Sequence, residues 1–195
     1  EMETKVLKIE DLEKDYNNII EAAETIKEGN IVAIPTETVY GLAANIFDEE
    51  ATKKIFIAKG RPQDNQLITQ ISRLEQVNEI CREFPEEARV LAEKFWPGPL
   101  TMILPRKDNV PDTVTAGLDT VAIRYPSHYI ANAIIKEAGV PLVAPSANLS
   151  GKPSTTSVKH CIKDLTGRVP LIIDGGDCEY GLESTIIDAS VKPMV

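Results

Sequence analysis

Three segments of the chain carry pairs of polar side chains separated by one residue. The pairs are Thr36 with Thr38, Lys59 with Arg61, and Ser146 with Asn148. In an extended backbone, residues i and i+2 project to the same side, so each pair could present two hydrogen-bonding groups to one ligand. Each pair could equally belong to a solvated loop or a helix cap. Because all three lie at the edge of an apolar segment, the sequence favours a binding site over three unrelated loops.

The second pair encloses a glycine, in the order Lys59-Gly60-Arg61-Pro62. Gly60 allows the backbone to approach a ligand closely. Lysine supplies a point charge and arginine a planar fork of donors, and both suit phosphate oxygens. The alternative is the carboxyl end of a helix, where cations complement the helix dipole.

A single arginine, Arg124, follows the apolar run Val121–Ile123. A buried arginine needs an anionic partner. That partner could be a structural acid or the carboxylate of a substrate, and the sequence leaves both open. Thr120 lies four residues earlier and is expected on the same face of the strand.

Hydroxyl, amide and turn residues are dense between Pro145 and Ser154. Such a loop could bind phosphate and ribose by hydrogen bonds. It could also form turns and cap the next helix through Ser154 or Thr156. Ser184 opens the last predicted strand and could face the same site.

The elements that must position these residues alternate between strands and helices. Apolar periodicity predicts helices over 11–27, 48–58, 72–81, 86–95, 127–138 and one ending near 167, and strands over 31–34, 67–71, 100–104, 121–124, 141–144, 169–174 and 184–188. Ser72 and Glu75 have the spacing of a capping box, and 109–118 is predicted to be a loop. The alternation indicates one α/β domain over 1–195, with a mostly parallel or mixed sheet flanked by helices.

The composition is that of a soluble globular domain, with 195 residues, 43% of them hydrophobic and 26% charged. The net charge of −9 argues against nonspecific nucleic-acid binding driven by bulk charge, although it leaves a local basic pocket possible. The chain has no apolar run of about 18 residues, as a membrane helix needs, and no secretory signal. Cys81, Cys161 and Cys178 form no CxxC motif, so we expect no disulfide framework, no metal site and a reduced cytoplasmic setting.

Common catalytic motifs are missing from the sequence. It contains neither a P-loop nor the usual dinucleotide fingerprint. His128 and His160 lie near a helix start and inside a helix, where a structural or solvated role is the simpler interpretation.

In order along the chain, several blocks together resemble the YrdC-like family of threonylcarbamoyl-AMP synthases. The blocks are Pro35-Thr36-Glu37-Thr38-Val39-Tyr40-Gly41-Leu42, Lys59-Gly60-Arg61-Pro62 with Asn65, Phe95-Trp96-Pro97-Gly98-Pro99-Leu100-Thr101, Ala144-Pro145-Ser146-Ala147-Asn148 with Ser150-Gly151, and Asp174-Gly175-Gly176 with Glu183-Ser184-Thr185. Each block is weak alone, but the ordered set is specific and extends from about residue 16 to 190. The resemblance implies a twisted sheet around an open cavity.

The resemblance also implies a nucleotidyltransferase that joins L-threonine, bicarbonate and ATP into threonylcarbamoyl-adenylate and releases pyrophosphate. Mg²⁺ would accompany the ATP, and the product would serve tRNA modification, with tRNA or tRNA-modification proteins as partners. The implied threonine-binding residues are Thr38, Gln70, Arg124, Ala144 and Ser184. The implied nucleotide-binding residues are Lys59, Arg61, Asn65, Thr120, Ser146, Asn148 and Ser154, of which Lys59 and Arg61 would be catalytic.

The sequence departs from the family pattern in two places. Many members have histidine where this chain has Gln70 and proline where it has Gln66. A glutamine can replace a hydrogen bond of histidine but not its titration. The second departure follows Asp188, where the family pattern continues into a Leu-Arg-Pro-Gly segment that this sequence does not contain. We therefore expect a catalytic domain that lacks a carboxyl-terminal segment and belongs to a longer protein. An RNA-binding module that uses the same cavity without ATP chemistry, and a regulator that keeps the nucleotide pocket, are the alternatives.

Overall fold

The computed structural model describes residues 2–60, 65–178 and 184–195, and nine strands in these ranges form one sheet. The strands are β1 (Lys5–Lys8), β2 (Val32–Pro35), β3 (Tyr40–Asn45), β4 (Ile68–Gln70), β5 (Leu100–Pro105), β6 (Thr120–Arg124), β7 (Leu142–Val143), β8 (Leu171–Asp174) and β9 (Thr185–Asp188). The helices are α1 (Tyr16–Lys27), α2 (Glu49–Lys59), α3 (Val77–Ile80), α4 (Glu86–Phe95), α5 (Asp112–Thr115), α6 (Tyr129–Ala138) and α7 (Val158–Leu165).

The sheet is mixed, with the strand order β1-β8-β2-β3-β7-β4-β6-β5-β9. The pairs β1–β8, β2–β8, β4–β6 and β5–β9 are parallel. The pairs β2–β3, β3–β7, β4–β7 and β5–β6 are antiparallel. The predicted α/β class with a mixed sheet and flanking helices is therefore confirmed.

Helices cover the two faces of the sheet unequally. Apolar residues of α1 and α6 pack on one face, mainly against β2, β3 and β8. Buried residues of α2, α3, α4, α5 and α7 contribute to the core on the opposite face. Because α1 and α6 are concentrated on the first half of the sheet, their face lies more open over β4, β6, β5 and β9. Ile186 of β9, which lies on this open face, is 61% exposed.

Two strands were not predicted from the sequence. β1 is a short edge strand with mostly exposed residues. β3 falls in a segment for which the sequence predicted neither a strand nor a helix. Its sequence, Tyr-Gly-Leu-Ala-Ala-Asn, has few β-branched residues, so the strand depends on its pairing with β2 and β7 rather than on intrinsic preference.

The predicted helix caps had mixed outcomes. Asp48 caps α2 as expected, with its side chain accepting a hydrogen bond from the Ala51 N–H. The Ser72 capping box is wrong, because the Ser72 N–H donates to the side chain of Gln76 and the first turn is a 3₁₀ turn over Leu74–Gln76. Ser157 caps α7, not Ser154 or Thr156. The predicted loop 109–118 contains the short helix α5.

Within the described ranges, no helix is both long enough and apolar enough to cross a membrane. The three cysteine thiols are free, and those of Cys81 and Cys161 are buried.

Candidate active site

A cavity of about 170 Å³ lies where the turn between β2 and β3 meets β4, β6 and the segment after β7. Its walls are formed by Thr36, Thr38, Val39, Ile68, Gln70, Arg124, Ala144, Pro145 and Ser146. The structure thus brings together residues from four separate blocks of the sequence, including Thr38, Gln70, Arg124 and Ala144 from the expected threonine set.

The register of the sheet explains why an amide and a guanidinium lie side by side in this cavity. Gln70 of β4 is paired with Arg124 of β6, and Arg124 is paired with Thr101 of β5. Residues directly opposite each other in adjacent strands project to the same face. Ala144 follows β7 and donates its backbone N–H to the Ile68 carbonyl, which places it beside the same face.

The two threonines of the first pair have different roles. The Thr36 hydroxyl donates to the Val39 carbonyl at 2.6 Å and accepts from the Thr38 and Val39 N–H groups. It is therefore committed to the turn, as threonine hydroxyls often are. The Thr38 hydroxyl lies 3.3 Å from that of Thr36 and is the one left for a ligand.

Arg124 is half-buried, and its contacts leave part of the guanidinium available. Nε and Nη2 both donate to the Thr101 hydroxyl, at 3.1 and 2.9 Å. Burial lowers the pKa of Arg124, and the nearby charge of Glu37 raises it. No described carboxylate forms an ion pair with Arg124, although a buried charge is costly without one. The sequence left two partners open, a structural acid or the carboxylate of a substrate. No described structural acid is in direct contact with the guanidinium.

Gln70 has a buried acceptor without a partner. The residue is 4% exposed, and Oε1 accepts no hydrogen bond from any described group. An unsatisfied buried polar atom costs about 1–3 kcal/mol. A ligand with an N–H or O–H group would satisfy this oxygen.

The side chains of Ser146 and Asn148 form a hydrogen bond with each other. The Ser146 hydroxyl donates to Asn148 Oδ1, and Asn148 Nδ2 donates to the Lys152 carbonyl at 2.9 Å. Ser146 lines the cavity and bridges to Gly41 of β3, whereas Asn148 does not line it. The cavity therefore receives one hydroxyl from this pair.

Lys59 is the last residue of α2 and is only 2% exposed. A helix-terminal lysine that merely complements the dipole would be solvated, so burial favours an interior role. Gly60 does end the helix, with a left-handed φ of 72°, so the expected carboxyl end of a helix is present at the glycine. The Lys59 carbonyl accepts from the Ser150 N–H, which joins α2 to the Ser146 loop. Arg61 lies outside the described residues.

The other expected nucleotide contacts lie farther away. Thr120 is on the same strand face as Arg124, about 13 Å along β6, and accepts hydrogen bonds from Gln66 Nε2 through its carbonyl and hydroxyl. Asn65 is exposed. Ser154 lies in a separate groove of about 250 Å³ with Lys152, His160 and Lys163.

Ser184 does not line the cavity. It is exposed and directly precedes β9, where Thr185 donates to the Pro99 carbonyl. Ile186 pairs with Thr101, which in turn pairs with Arg124. Ser184 therefore lies at the same end of the sheet as Arg124, but two strands away.

Two residues near Arg124 were not identified from the sequence. Thr101 holds the guanidinium, and Glu37 is buried behind the Thr36–Thr38 turn. Thr101 could have been found only from the β5–β6 register. His128 has the structural role that was expected, because its Nδ1 caps α6 and burial lowers the pKa of its ring.

Comparison with known proteins assigns the chain to a family. The family model Sua5_yciO_yrdC, described as "Telomere recombination", matches residues 24–195. The chain therefore belongs to the Sua5/YciO/YrdC family, as its sequence blocks indicated.

Individual relatives are similar over nearly the whole chain. A threonylcarbamoyl-AMP synthase of Pyrococcus abyssi is 55% identical over 89% of this chain and 51% of its own length. One of Bacillus subtilis is 50% identical over 93% of this chain and 53% of its length. The crystal structure of P. abyssi Sua5 complexed with L-threonine matches with a TM-score of 0.90 and 50% identity, covering 99% of this chain and 56% of that one. The chain thus spans about half the length of these relatives.

Proposed function

We propose that the chain catalyses the synthesis of threonylcarbamoyl-AMP from L-threonine, bicarbonate and ATP. The observation that carries the proposal is the small cavity in which Arg124, without an ion pair to any described carboxylate, lies beside the unsatisfied Oε1 of Gln70 and the hydroxyl of Thr38. A cation, an acceptor and a hydroxyl in a small space suit a free amino acid with a polar side chain. The relative that was crystallised with L-threonine supports the same choice.

In this proposal, Arg124 binds the threonine carboxylate by charge-assisted hydrogen bonds. Gln70 accepts a hydrogen bond from the ammonium or hydroxyl group of threonine. The N–H of Ala144 is already used by Ile68, so Ala144 would contribute its carbonyl oxygen. Ser184 would complete the site from the direction of β9.

The nucleotide would lie next to the amino acid, beside Ser146. Its contacts would come from Lys59, Arg61, Asn65, Thr120, Ser146, Asn148 and Ser154. Ser146 lines the cavity, so it lies where the amino acid and the α-phosphate would meet. The buried cation of Lys59, with Arg61, would stabilise the charge that develops on the phosphates.

The chemistry requires positioning more than covalent help. The threonine amine and bicarbonate give a carbamate and water, and a carbamate oxygen then attacks the α-phosphorus. The bond to pyrophosphate breaks as the new P–O bond forms, and charge is stabilised throughout. Mg²⁺ would neutralise the phosphates when bound. No described group of three acidic, histidine or cysteine residues could hold a metal by itself. In this proposal Mg²⁺ would enter with ATP.

We also propose that the product is consumed by a tRNA-modification reaction in the cytoplasm, with tRNA or its modification proteins as partners. An RNA-binding module remains the alternative. The cavity offers a small, partly apolar space with Val39 and Ile68 in its walls, which suits a small molecule better than an RNA backbone.

Pyrophosphate release tests this proposal. ATP should release pyrophosphate only when threonine and bicarbonate are both present, because their carbamate is the nucleophile. Arg124→Ala should abolish most of the release, whereas Arg82→Ala, which removes an exposed arginine paired with Asp119, should not. Equal ATP turnover without threonine, or saturable tRNA binding without any ATP turnover, would refute the synthase.

A further inference from the structure

Glu37 is a buried carboxylate that the proposed reaction does not use. It lies between the two threonines of the β2–β3 turn and is 8% exposed. Although Thr36 and Thr38 line the cavity, Glu37 does not. Its side chain instead reaches the loop that follows β6, where Oε2 accepts a hydrogen bond from the His128 N–H at 3.2 Å. Oε1 is buried and has no described hydrogen-bond partner.

The loop that Glu37 contacts begins at Arg124 and ends at the first turn of α6. The first N–H groups of a helix lack partners within the helix and favour a negative charge nearby. His128 satisfies one of them through its own ring, which accepts from the Ile130 N–H at 3.2 Å. Glu37 satisfies the His128 N–H from a segment 91 residues away in sequence.

This hydrogen bond joins the two sides of the cavity. On one side is the turn that presents Thr38, and on the other is the strand end that presents Arg124. The charge of Glu37 raises the pKa of Arg124 against the effect of burial, but the two described side chains form no direct ion pair. The guanidinium is held by Thr101 instead, so the contact made by Glu37 leaves it accessible to a ligand.

Resting on the proposed function, we infer that Glu37 is a positioning residue for the amino-acid substrate. Its hydrogen bond to the His128 N–H fixes the Thr38 turn against the β6–α6 loop. It thereby sets the distance between Thr38 and Arg124 across the proposed threonine site. The inference requires the reach of the side chain and an acceptor atom at its end, rather than its charge.

Two conservative variants separate reach from charge. Glu37→Gln keeps the length and an acceptor oxygen but loses the charge, and Glu37→Asp keeps the charge but is one methylene too short. We expect the Kd for L-threonine, measured by calorimetric titration, to stay within about threefold in E37Q and to rise about tenfold in E37D, because the loss of one hydrogen bond has an effect on that scale. The Kd for ATP should stay within about twofold in both.

His128→Ala is the matched control for a purely structural effect. It removes the other cap of α6 but keeps the backbone N–H that Glu37 binds, so it should lower the melting temperature without changing the threonine Kd. The inference is overturned if E37Q weakens threonine binding as much as E37D, if ATP binding falls in parallel, or if H128A has the same effect as E37D. If wild-type protein binds no threonine at all, the proposed function fails instead, so the two failures are distinguishable.

Discussion

Gln70 shows how one side chain can oppose stability and serve binding. Its Oε1 is buried without a described partner, so the empty protein bears the cost of an unsatisfied acceptor. A ligand donor would remove that cost. The family resemblance leads us to expect a histidine at this position, and a neutral amide keeps the hydrogen bond while it cannot titrate.

Replacing Gln70 should therefore change stability and binding in opposite directions. Gln70→Leu removes the unsatisfied oxygen at similar volume, so the free energy of unfolding of the ligand-free protein should rise by about 1 kcal/mol in urea denaturation. The Kd for threonine should increase about tenfold in the same variant, because the ligand loses its acceptor. Gln70→His should keep activity within a few-fold near neutral pH. A gain of orders of magnitude in the histidine variant would mean that an ionisable group is needed there.

For individual residues, the sequence was informative where a residue type was unusual for its surroundings. Arg124 stood out as a single charge after an apolar strand, and it does lie in the cavity. Glu37 and Thr101 stand in the resembling blocks but were given no role, because each acts on a partner distant in sequence. Ser184 was assigned to the threonine set and Asn148 and Ser154 to the nucleotide set, and all three lie outside the wall of this cavity.

Among the elements, β3 connects the candidate site to the core. Gly41 lies where β3 approaches the segment after β7, and a Cβ at this position would be 3.2 Å from the Ala144 carbonyl oxygen and 3.3 Å from that of Pro145. Both neighbours are backbone atoms, which cannot rotate away. The close approach also brings Ser146 into its bridge with Gly41.

Gly41→Ala should therefore separate β3 from the Ser146 segment. We expect a loss of about 1–3 kcal/mol in the free energy of unfolding, as for other overpacked sites. Ligand binding should weaken at the same time, because the displaced segment carries Ala144 and Ser146. Unchanged stability by urea denaturation would mean that the strands can move apart at no cost.

The packing of α7 and of the segment after α3 protects two thiols. Burial raises the pKa of Cys81 to about 12 and that of Cys161 to about 12. The thiolate is the reactive form, and a pKa this far above neutrality keeps the thiols protonated and unreactive at pH 8. Both should resist a disulfide reagent in the native protein and react on unfolding. Rapid native reaction of either would contradict the packing of α7 or of the segment after α3.

Local sequence signals explain which helices and strands could be predicted. Buried strands and capped helices such as β6 and α2 have local signals in apolar runs and in Asp48. β3 has no such signal, since its Gly-Leu-Ala-Ala run becomes a strand only between β2 and β7. The Ser72 capping box failed because the side chain of Gln76 competes for the same backbone group.

Across the whole molecule, the unequal covering of the sheet creates the site. α1 and α6 are concentrated on one half of their face, and the more open half carries Gln70, Arg124, Thr101 and Thr120 in register. This arrangement explains how a chain with a net charge of −9 can have an arginine as the one described charged residue in the wall of its cavity. The overall charge determines little about such a cavity.

The central claim is that this cavity binds L-threonine through Arg124, and calorimetric titration of the chain tests it most directly. Wild-type protein and the Arg82→Ala control should bind L-threonine with the same saturable affinity. Arg124→Ala should weaken threonine binding by about 10- to 150-fold, as expected for the loss of charge-assisted hydrogen bonds worth roughly 1.5–3 kcal/mol, while the Kd for ATP changes far less. Absence of saturable threonine binding in the wild type, or an equal loss of ATP and threonine affinity in Arg124→Ala, would contradict the account.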